Sequence, residues 1–316
     1  MSVGVLALPP ALLATYLRVV PPDGGVGEMA ASFVAYGLIG YVVSLVCFVV
    51  ALLRARRRVA LGVIALVVAA LTALQISWQV PFFVADDRPA TTAPITVLTL
   101  NLKIGAADPA GVWAQAQHAD IVLLQEFAGF DPTRAAGTAW SARFPYSAGY
   151  AGPPPAVSAD TVIFSRFPLS DTQALPVTKF AQWVSVATVP GIGDVTVMAV
   201  HPCSPLCGPG VWQREHDVVR AVASLHRAGP LLIAGDFNAV DDHLPIRQLR
   251  RDGLRSATDI VGAGWLPTYP ADRSFPPLIP IDHILLSSQL TATSIHRIQV
   301  AGTDHRGLVA TIAGTG

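Results

Sequence analysis

Apolar positions fall into two regimes along the 316 residues. Up to residue 85 they form long, nearly unbroken runs. From residue 95 they come in short runs that each stop at a single polar residue. Residues 30–53 and 59–83 carry no charge, and each is long enough to cross a bilayer as a helix. Gln75 and Gln79 lie near the far end of the second run, and Trp78 there suits an interfacial anchor. The connector Arg54-Ala55-Arg56-Arg57-Arg58 has the composition of a cytoplasmic loop under the positive-inside rule. Residues 2–20 read as a weaker third span, interrupted by Pro9 and Pro10 and lacking the basic leader of a signal peptide. With the arginine connector inside, everything after residue 83 lies outside the cytoplasm whether or not 2–20 spans. The expected organisation is a transmembrane region of two to three helices over 1–85, a polar linker over 86–94, and a globular domain over 95–316.

Within that domain the pattern alternates between strand and helix periods. Residues 95–101 alternate and end in Asn101. A short helix is expected over 113–118. Residues 121–126 are a buried strand closing on Glu126, and 144–158 read as a loop. A strand over 161–168 follows. Residues 183–189 and 194–200 read as paired strands, the second ending at His201. The run 213–228 is a helix with Arg214, Glu215 and Arg220 on its wet side. Residues 231–236 are a buried strand that Gly235 breaks, and the period of two puts Asp236 and Asn238 on one side of the chain. A helix is expected over 243–252, with Arg247, Arg250, Arg251 and Arg255 as a solvated face. A loop over 264–270 and a strand over 279–286 come next, with Asp282 and His283 on opposite faces. Asp304-His305 lies at a turn before a last strand over 308–312.

Composition sharpens this picture. The chain is 52% hydrophobic and 13% charged, with a mean hydropathy of +0.50 and zero net charge. The apolar excess sits before residue 86. From residue 95 onward 15 Lys/Arg face 17 Asp/Glu, a net charge of −2. No basic stripe of the kind that neutralises a nucleic-acid backbone is present. The chemistry is carried by the polar residues at strand ends. A carboxylate beside a carboxamide, Asp236 and Asn238, pairs an acceptor with a donor and suits a phosphate and a water, although both residues are also ordinary turn formers. Glu126 after an apolar strand is costly to bury unpaired. It reads as a solvated strand end or as a ligand for a hard cation.

Taken in order, Leu-Asn101, Leu-Gln-Glu126, His201 at its strand end, Gly-Asp236-Phe-Asn238, Ile-Asp282-His-Ile and Thr-Asp304-His305 resemble the motifs of the endonuclease/exonuclease/phosphatase superfamily. The resemblance covers residues 95–312. It implies an α/β fold, a four-layer DNase I-like sandwich of two mixed sheets, and a metal-dependent phosphoric ester hydrolase using Mg²⁺, with Mn²⁺ as a substitute. By the same resemblance Glu126 is the principal metal ligand, with Asn101 and Asp304 beside it. His305 is the base, Asp282 orients it, Asp236 and Asn238 position nucleophile and phosphate, and His201 donates to a phosphoryl oxygen. Lys103 replaces the acidic or amide residue that many nucleases of the family carry two positions after the Asn. Pro280 rather than Arg precedes Ile281-Asp282. Both departures weigh against a nuclease more than against a phosphoesterase. Three spans followed by an outward domain also resemble the VanJ-type membrane proteins associated with teicoplanin resistance.

The leading expectation is therefore a multi-pass cell-membrane phosphoesterase whose partners are membrane lipids and a lipid-linked phosphorylated substrate. A surface-anchored nuclease and a non-catalytic protein retaining the fold are the alternatives. Cys203 and Cys207, separated by a Pro-containing loop outside the cytoplasm, are expected to pair. The topology is testable directly. A reporter active only outside the cytoplasm and fused after residue 87 is expected to be active, and activity of a cytoplasm-only reporter at that position would overturn the arrangement.

Overall fold

The structure, a computed structural model, describes residues 2–22, 24–55, 58–86, 88–150, 152 and 160–315. Arg56 and Arg57 of the connector, Asp87 of the linker and residues 151 and 153–158 of the expected loop lie outside the described residues. The chain opens with α1 (Ser2–Val19), α2 (Gly25–Ala31), α3 (Gly37–Arg54) and α4 (Val59–Gln79). Three segments among the described residues, Ser2–Val19, Val34–Arg54 and Val59–Phe82, are long and apolar enough to cross a membrane. Pro9 and Pro10 lie inside α1 without ending it. Helices α1 and α3 run antiparallel in close contact, because small residues line the seam. A Cβ added to Gly4 would meet Cys47, one on Gly37 would meet Ala14, and one on Gly40 would fall 2.8 Å from the Ala7 carbonyl. Gln75 is buried in this bundle beside Gly37, and Gln79 Nε2 donates to the Ala35 carbonyl at 3.0 Å. This arrangement puts the C-terminus of α1, the N-terminus of α3 and the C-terminus of α4 at one end. Arg54 and Arg58 are at the other.

The expected continuous helix over 30–53 is broken. Helix α2 ends at Ala31 and a single 3-10 turn, Val34–Tyr36, precedes α3. The cause is docking rather than hydropathy. The Tyr36 hydroxyl donates to the Leu278 carbonyl at 2.7 Å. His243 Nδ1 accepts the Val240 N–H at 3.0 Å, so its Nε2 carries the proton and donates to the Glu28 carbonyl at 2.8 Å. Burial lowers the His243 pKa to about 4 and keeps the ring neutral. The segment around α2 thus packs on the globular domain.

That domain contains twelve strands among the described residues: β1 (Ile95–Asn101), β2 (Ile121–Gln125), β3 (Tyr146–Ala148), β4 (Val162–Ser165), β5 (Leu169–Ala174), β6 (Trp183–Val189), β7 (Gly193–Val200), β8 (Leu231–Asp236), β9 (Arg255–Ser256), β10 (Asp282–Leu286), β11 (Leu290–Ile298) and β12 (Gly307–Gly314). The helices are α5 (Pro109–Ala116), α6 (Thr133–Ala136), α7 (Thr138–Arg143), α8 (Val211–His226), α9 (Leu244–Arg251) and α10 (Ala257–Val261). One sheet has the order β11-β12-β1-β2-β4-β3 and the other β5-β6-β7-β8-β10-β9. Each holds one parallel pair, β1 with β2 and β7 with β8, among antiparallel neighbours. The sheets face each other across a core that includes Val97, Leu123, Val197, Leu232 and Ile284. Helices α5 and α7 cover the outer face of the first sheet through Val112, Ala116 and Trp140. Helices α8 and α9 cover the second through Trp212, Val219, Ile246 and Leu249. This is the four-layer DNase I-like sandwich that the resemblance implies.

Several local expectations are corrected. Strand β3 lies inside the expected loop over 144–158. Glu215 is buried rather than on the wet side of α8. Arg255 belongs to β9 and pairs with Asp86 at 2.6 Å, while Arg250 pairs with Asp241 at 3.0 Å and with Asp259. These arginines are therefore not one solvated helix face. The linker is also no free tether. The Asp86 N–H donates to the Ile260 carbonyl at 2.8 Å and the Thr91 N–H to the Gly314 carbonyl at 2.9 Å.

Gly235, next to Asp236, is a packing requirement. It lies beside Val200 in the parallel β7–β8 pair, and an added Cβ would fall 1.9 Å from the Val200 carbonyl oxygen. Gly235→Ala is expected to cost about 3 kcal/mol by forcing the two strands apart. The loss is read as a lowered midpoint in thermal denaturation of the full chain in detergent. An unchanged midpoint would show that the pair opens freely.

Candidate active site

Both parallel pairs end at the same edge of the sandwich. Strand β1 delivers Asn101, and β2 delivers Glu126 one residue past its end. Strand β7 delivers His201 and β8 delivers Asp236. Antiparallel β10 starts beside them, with Asp282 in register with Asp236. Asp304 and His305 precede β12. The eight expected residues are therefore brought together. Asn101 Nδ2 donates to Glu126 Oε1 and to Asp236 Oδ2, both at 3.0 Å. Its Oδ1 accepts the Lys103 N–H at 2.8 Å, which fixes the orientation of the amide. The second oxygen of Glu126 accepts the Ile104 N–H at 2.7 Å. His201 Nε2 stands 3.6 Å from Asp236 Oδ2 and 3.8 Å from Glu126 Oε1, with its ring stacked on Phe180. His305 Nδ1 bonds to Asp282 Oδ2 at 2.9 Å, and its Nε2 points to Asp236 Oδ2 at 3.6 Å. The Asn238 N–H donates to Asp236 Oδ1 at 2.7 Å, and Asn238 Nδ2 donates to the Pro202 carbonyl at 3.0 Å. Asn238 lies in a turn with φ of 48°, beyond the end of β8, so the strand and the turn readings of 236–238 each hold for part of it.

The cleft these groups floor has a volume of about 450 Å³ and is lined by Glu126, Asp236, Asn238, Asp304 and His305. Its walls are Tyr269, Leu278 and Ile281 on one side, the Ser204–Leu206 loop, and Met29, Ser32 and Phe33 from the α2 segment. The electrostatics are dominated by carboxylates. Burial opposes a charge on His305, but Asp282, Asp236 and Asp304 outweigh it and raise the pKa to about 10. Burial pushes the Asp304 carboxyl up. The donor set fits a hard divalent cation. Glu126, Asp236 and Asp304 bring three carboxylates into one cleft. Asp236 also lies within 4.8 Å of ligand atoms of Asp282 and His305, but those two are bonded to each other, and Asp282 Oδ1 is buried without a partner among the described residues. Asn101 holds two carboxylates through Nδ2, while its Oδ1 accepts the Lys103 N–H. Lys103 itself turns away to pair with Asp272 at 2.8 Å.

Three residues outside the expected set, Thr303, Glu215 and Gln182, support the site. Thr303 Oγ1 donates to the Asn101 carbonyl at 2.6 Å and accepts the His305 N–H at 3.1 Å, tying β1 to the approach of β12. Glu215 accepts the Lys179 N–H at 2.7 Å and the Cys203 N–H at 2.9 Å. Gln182 Oε1 accepts the His201 N–H at 3.0 Å. The signal for Glu215 was present: it shares a helix face with Trp212, Val219 and Ala223, all buried. His283 turns to the opposite side as expected, its Nε2 2.7 Å from the Ala239 carbonyl.

Two face-to-face mixed sheets, with carboxylates and histidines gathered where their parallel pairs end, define a protein of the DNase I-like class, a class whose endonuclease/exonuclease/phosphatase members are phosphoric ester hydrolases. The chain belongs to the Endonuclease/Exonuclease/phosphatase family, whose sequence profile matches residues 98–305. No curated protein matches the chain. Among solved structures, an endonuclease/exonuclease/phosphatase from Beutenbergia cavernae is 20% identical with a TM-score of 0.53, over 71% of this chain and 72% of that one. The D. rerio TDP2 complexed with single strand DNA product is 16% identical with a TM-score of 0.53, over 70% and 99%. The human Nocturnin catalytic domain with bound sulfate is 16% identical with a TM-score of 0.52, over 72% and 97%. These likenesses establish the fold.

Cys203 and Cys207 are disulfide-bonded, and the loop they close forms part of the cleft wall; Cys47 is a free thiol. Alkylation of the denatured, unreduced chain is expected to label Cys47 alone, and reduction to expose all three cysteines. Three labelled thiols before reduction would show that the loop is open.

Proposed function

We propose that the protein is a membrane-anchored, divalent-metal-dependent phosphoesterase that hydrolyses a lipid-linked phosphate ester or pyrophosphate on the outer face of the membrane. The observation that carries this reading is the composition of the cleft wall. Met29 and Phe33, both partly exposed apolar residues, border the same cavity as Glu126 and His305. They belong to the segment that joins α1 to α3 at the domain-facing end of the helix bundle. A phosphate carried on an apolar chain meets apolar surface and carboxylates in one cleft, and it is concentrated there by the anchor. Arg54 and Arg58 of the connector, at the opposite end of the bundle, favour an extracytoplasmic cleft.

The chain's own residues take the following roles. Asn238 and His201 face the reacting phosphoryl group, and His201 donates to an oxygen on which charge builds. Asp282 holds the Nδ1 proton of His305, so that Nε2 faces the cleft as the proton acceptor for the attacking water. Asp236, hydrogen-bonded to Asn101, orients that water. A divalent cation held by Glu126 and Asp304 beside Asp236 would supply neutralisation of the phosphate charge and of the carboxylate field that keeps His305 protonated. Asn101 keeps Glu126 in place for it.

The test compares kcat/KM for a polyprenyl diphosphate and a glycerolipid phosphate in mixed micelles with that for DNA, RNA and a soluble phosphomonoester, with Mg²⁺, with Mn²⁺ and with chelator. The lipid phosphate is expected to be preferred and activity to vanish with chelator. His305→Ala is expected to lower kcat roughly 10³-fold, with Asp282→Asn milder because the base is misoriented rather than removed. Preferential cleavage of DNA would establish the surface nuclease instead. Full turnover in His305→Ala would remove the assignment of the base.

A further inference from the structure

A second cavity, of about 390 Å³, lies where the domain-facing ends of α1 and α4 meet the 241–242 turn and α9. It shares no lining residue with the active-site cleft. Four of its lining residues are arginines: Arg18, Arg247, Arg250 and Arg251. Two are compensated. Arg18 pairs with Asp242 and lies with its guanidinium 4.4 Å from the Trp78 ring centroid. Arg250 is held by Asp241 and Asp259. Arg247 and Arg251 have no acidic partner among the described residues, and Arg247 Nε is buried with no acceptor. Burial, and then the charge of Arg251, draw the Arg247 pKa below its ordinary range.

A buried guanidinium N–H without an acceptor is costly, and neighbouring unpaired cations repel. One anion with several oxygens, accepting from the cavity-lining guanidinium groups of Arg247 and Arg251, offsets their repulsion and compensates the partly buried Arg247 charge, and the guanidinium fork matches a phosphate in two places at once. The opposite wall says where that anion comes from. Val19, Ser77, Trp78 and Pro81 belong to the ends of apolar helices. A tryptophan at the end of such a helix lies at headgroup depth, where phosphodiesters are densest.

We propose that this cavity is a phosphate-binding site that takes the phosphodiester of an anionic phospholipid headgroup, with Arg247 and Arg251 as its principal donors. The site is independent of the reaction assigned to the cleft.

The experiment follows thermal unfolding of the full chain in neutral detergent, titrated with dihexanoyl phosphatidylglycerol, with dihexanoylglycerol of the same chains, and with inorganic phosphate. The phospholipid is expected to raise the midpoint by several degrees and the phosphate-free diacylglycerol to leave it unchanged. Arg247→Gln with Arg251→Gln is expected to abolish the shift, each change weakening binding roughly tenfold. Arg251→Gln alone, at an exposed position, serves if the double variant does not fold. Glu126→Gln is expected to keep the shift, which separates this cavity from the cleft. An equal shift with inorganic phosphate would keep the phosphate site and assign it to the free anion. No shift with either anion, an equal shift with diacylglycerol, or a shift that survives loss of the arginines would overturn the proposal.

Discussion

Two carboxylates from different sheets, Glu126 and Asp236, are held on the amide of one residue, Asn101. Like charges this close repel, and burial strengthens the repulsion. The two N–H groups of one carboxamide offset it, and the Lys103 N–H prevents the amide from turning over. Thr303 then fastens the Asn101 backbone to the segment that carries His305. The edge where the sheets meet is thus closed by a chain of directional bonds. The apolar core beneath it sets the sheet separation that one side chain has to bridge.

The topology explains why polar groups gather there. Each sheet contains one strand–helix–strand crossover, through α5 in the first and α8 in the second. Both parallel pairs deliver their carboxyl ends to the same edge. Ligand sites in α/β proteins form at such ends because the connecting loops leave room there. Asp282 joins from the antiparallel neighbour β10, which starts where β8 stops. His283, one residue along, is turned away by the pleat and bonds within the second layer.

The readable part of the fold was the part where an apolar run stops abruptly. Leu-Asn101, Gln-Glu126 and Gly-Asp236 each mark a buried strand ending at the site, so the strand and its functional residue appear together. Strand β5 is exposed along most of its length and has no apolar pattern to read. Strand β9 spans two residues. In β11 the register shift between Ala292 and Ser294 disrupts the period of two. The break between α2 and α3 left no trace in hydropathy, because it follows from bonds to His243 and Leu278, more than 200 positions away. Asn101 was legible as a site residue. That its amide faces carboxylates depends on a partner 135 positions away and emerges only from the tertiary structure.

The α2 segment changes what the first eighty residues are. Helices that merely hold a domain near a surface can be exchanged for any others of equal length. Here Met29, Ser32 and Phe33 form part of the cleft, and a neutral histidine of the domain closes on the Glu28 backbone. A chain cut in the linker would lose one side of its own cleft and would bare the surface on which that side rested. The two regions are therefore not separable modules. A change in the tilt of the helix bundle is a change in the shape of the cleft.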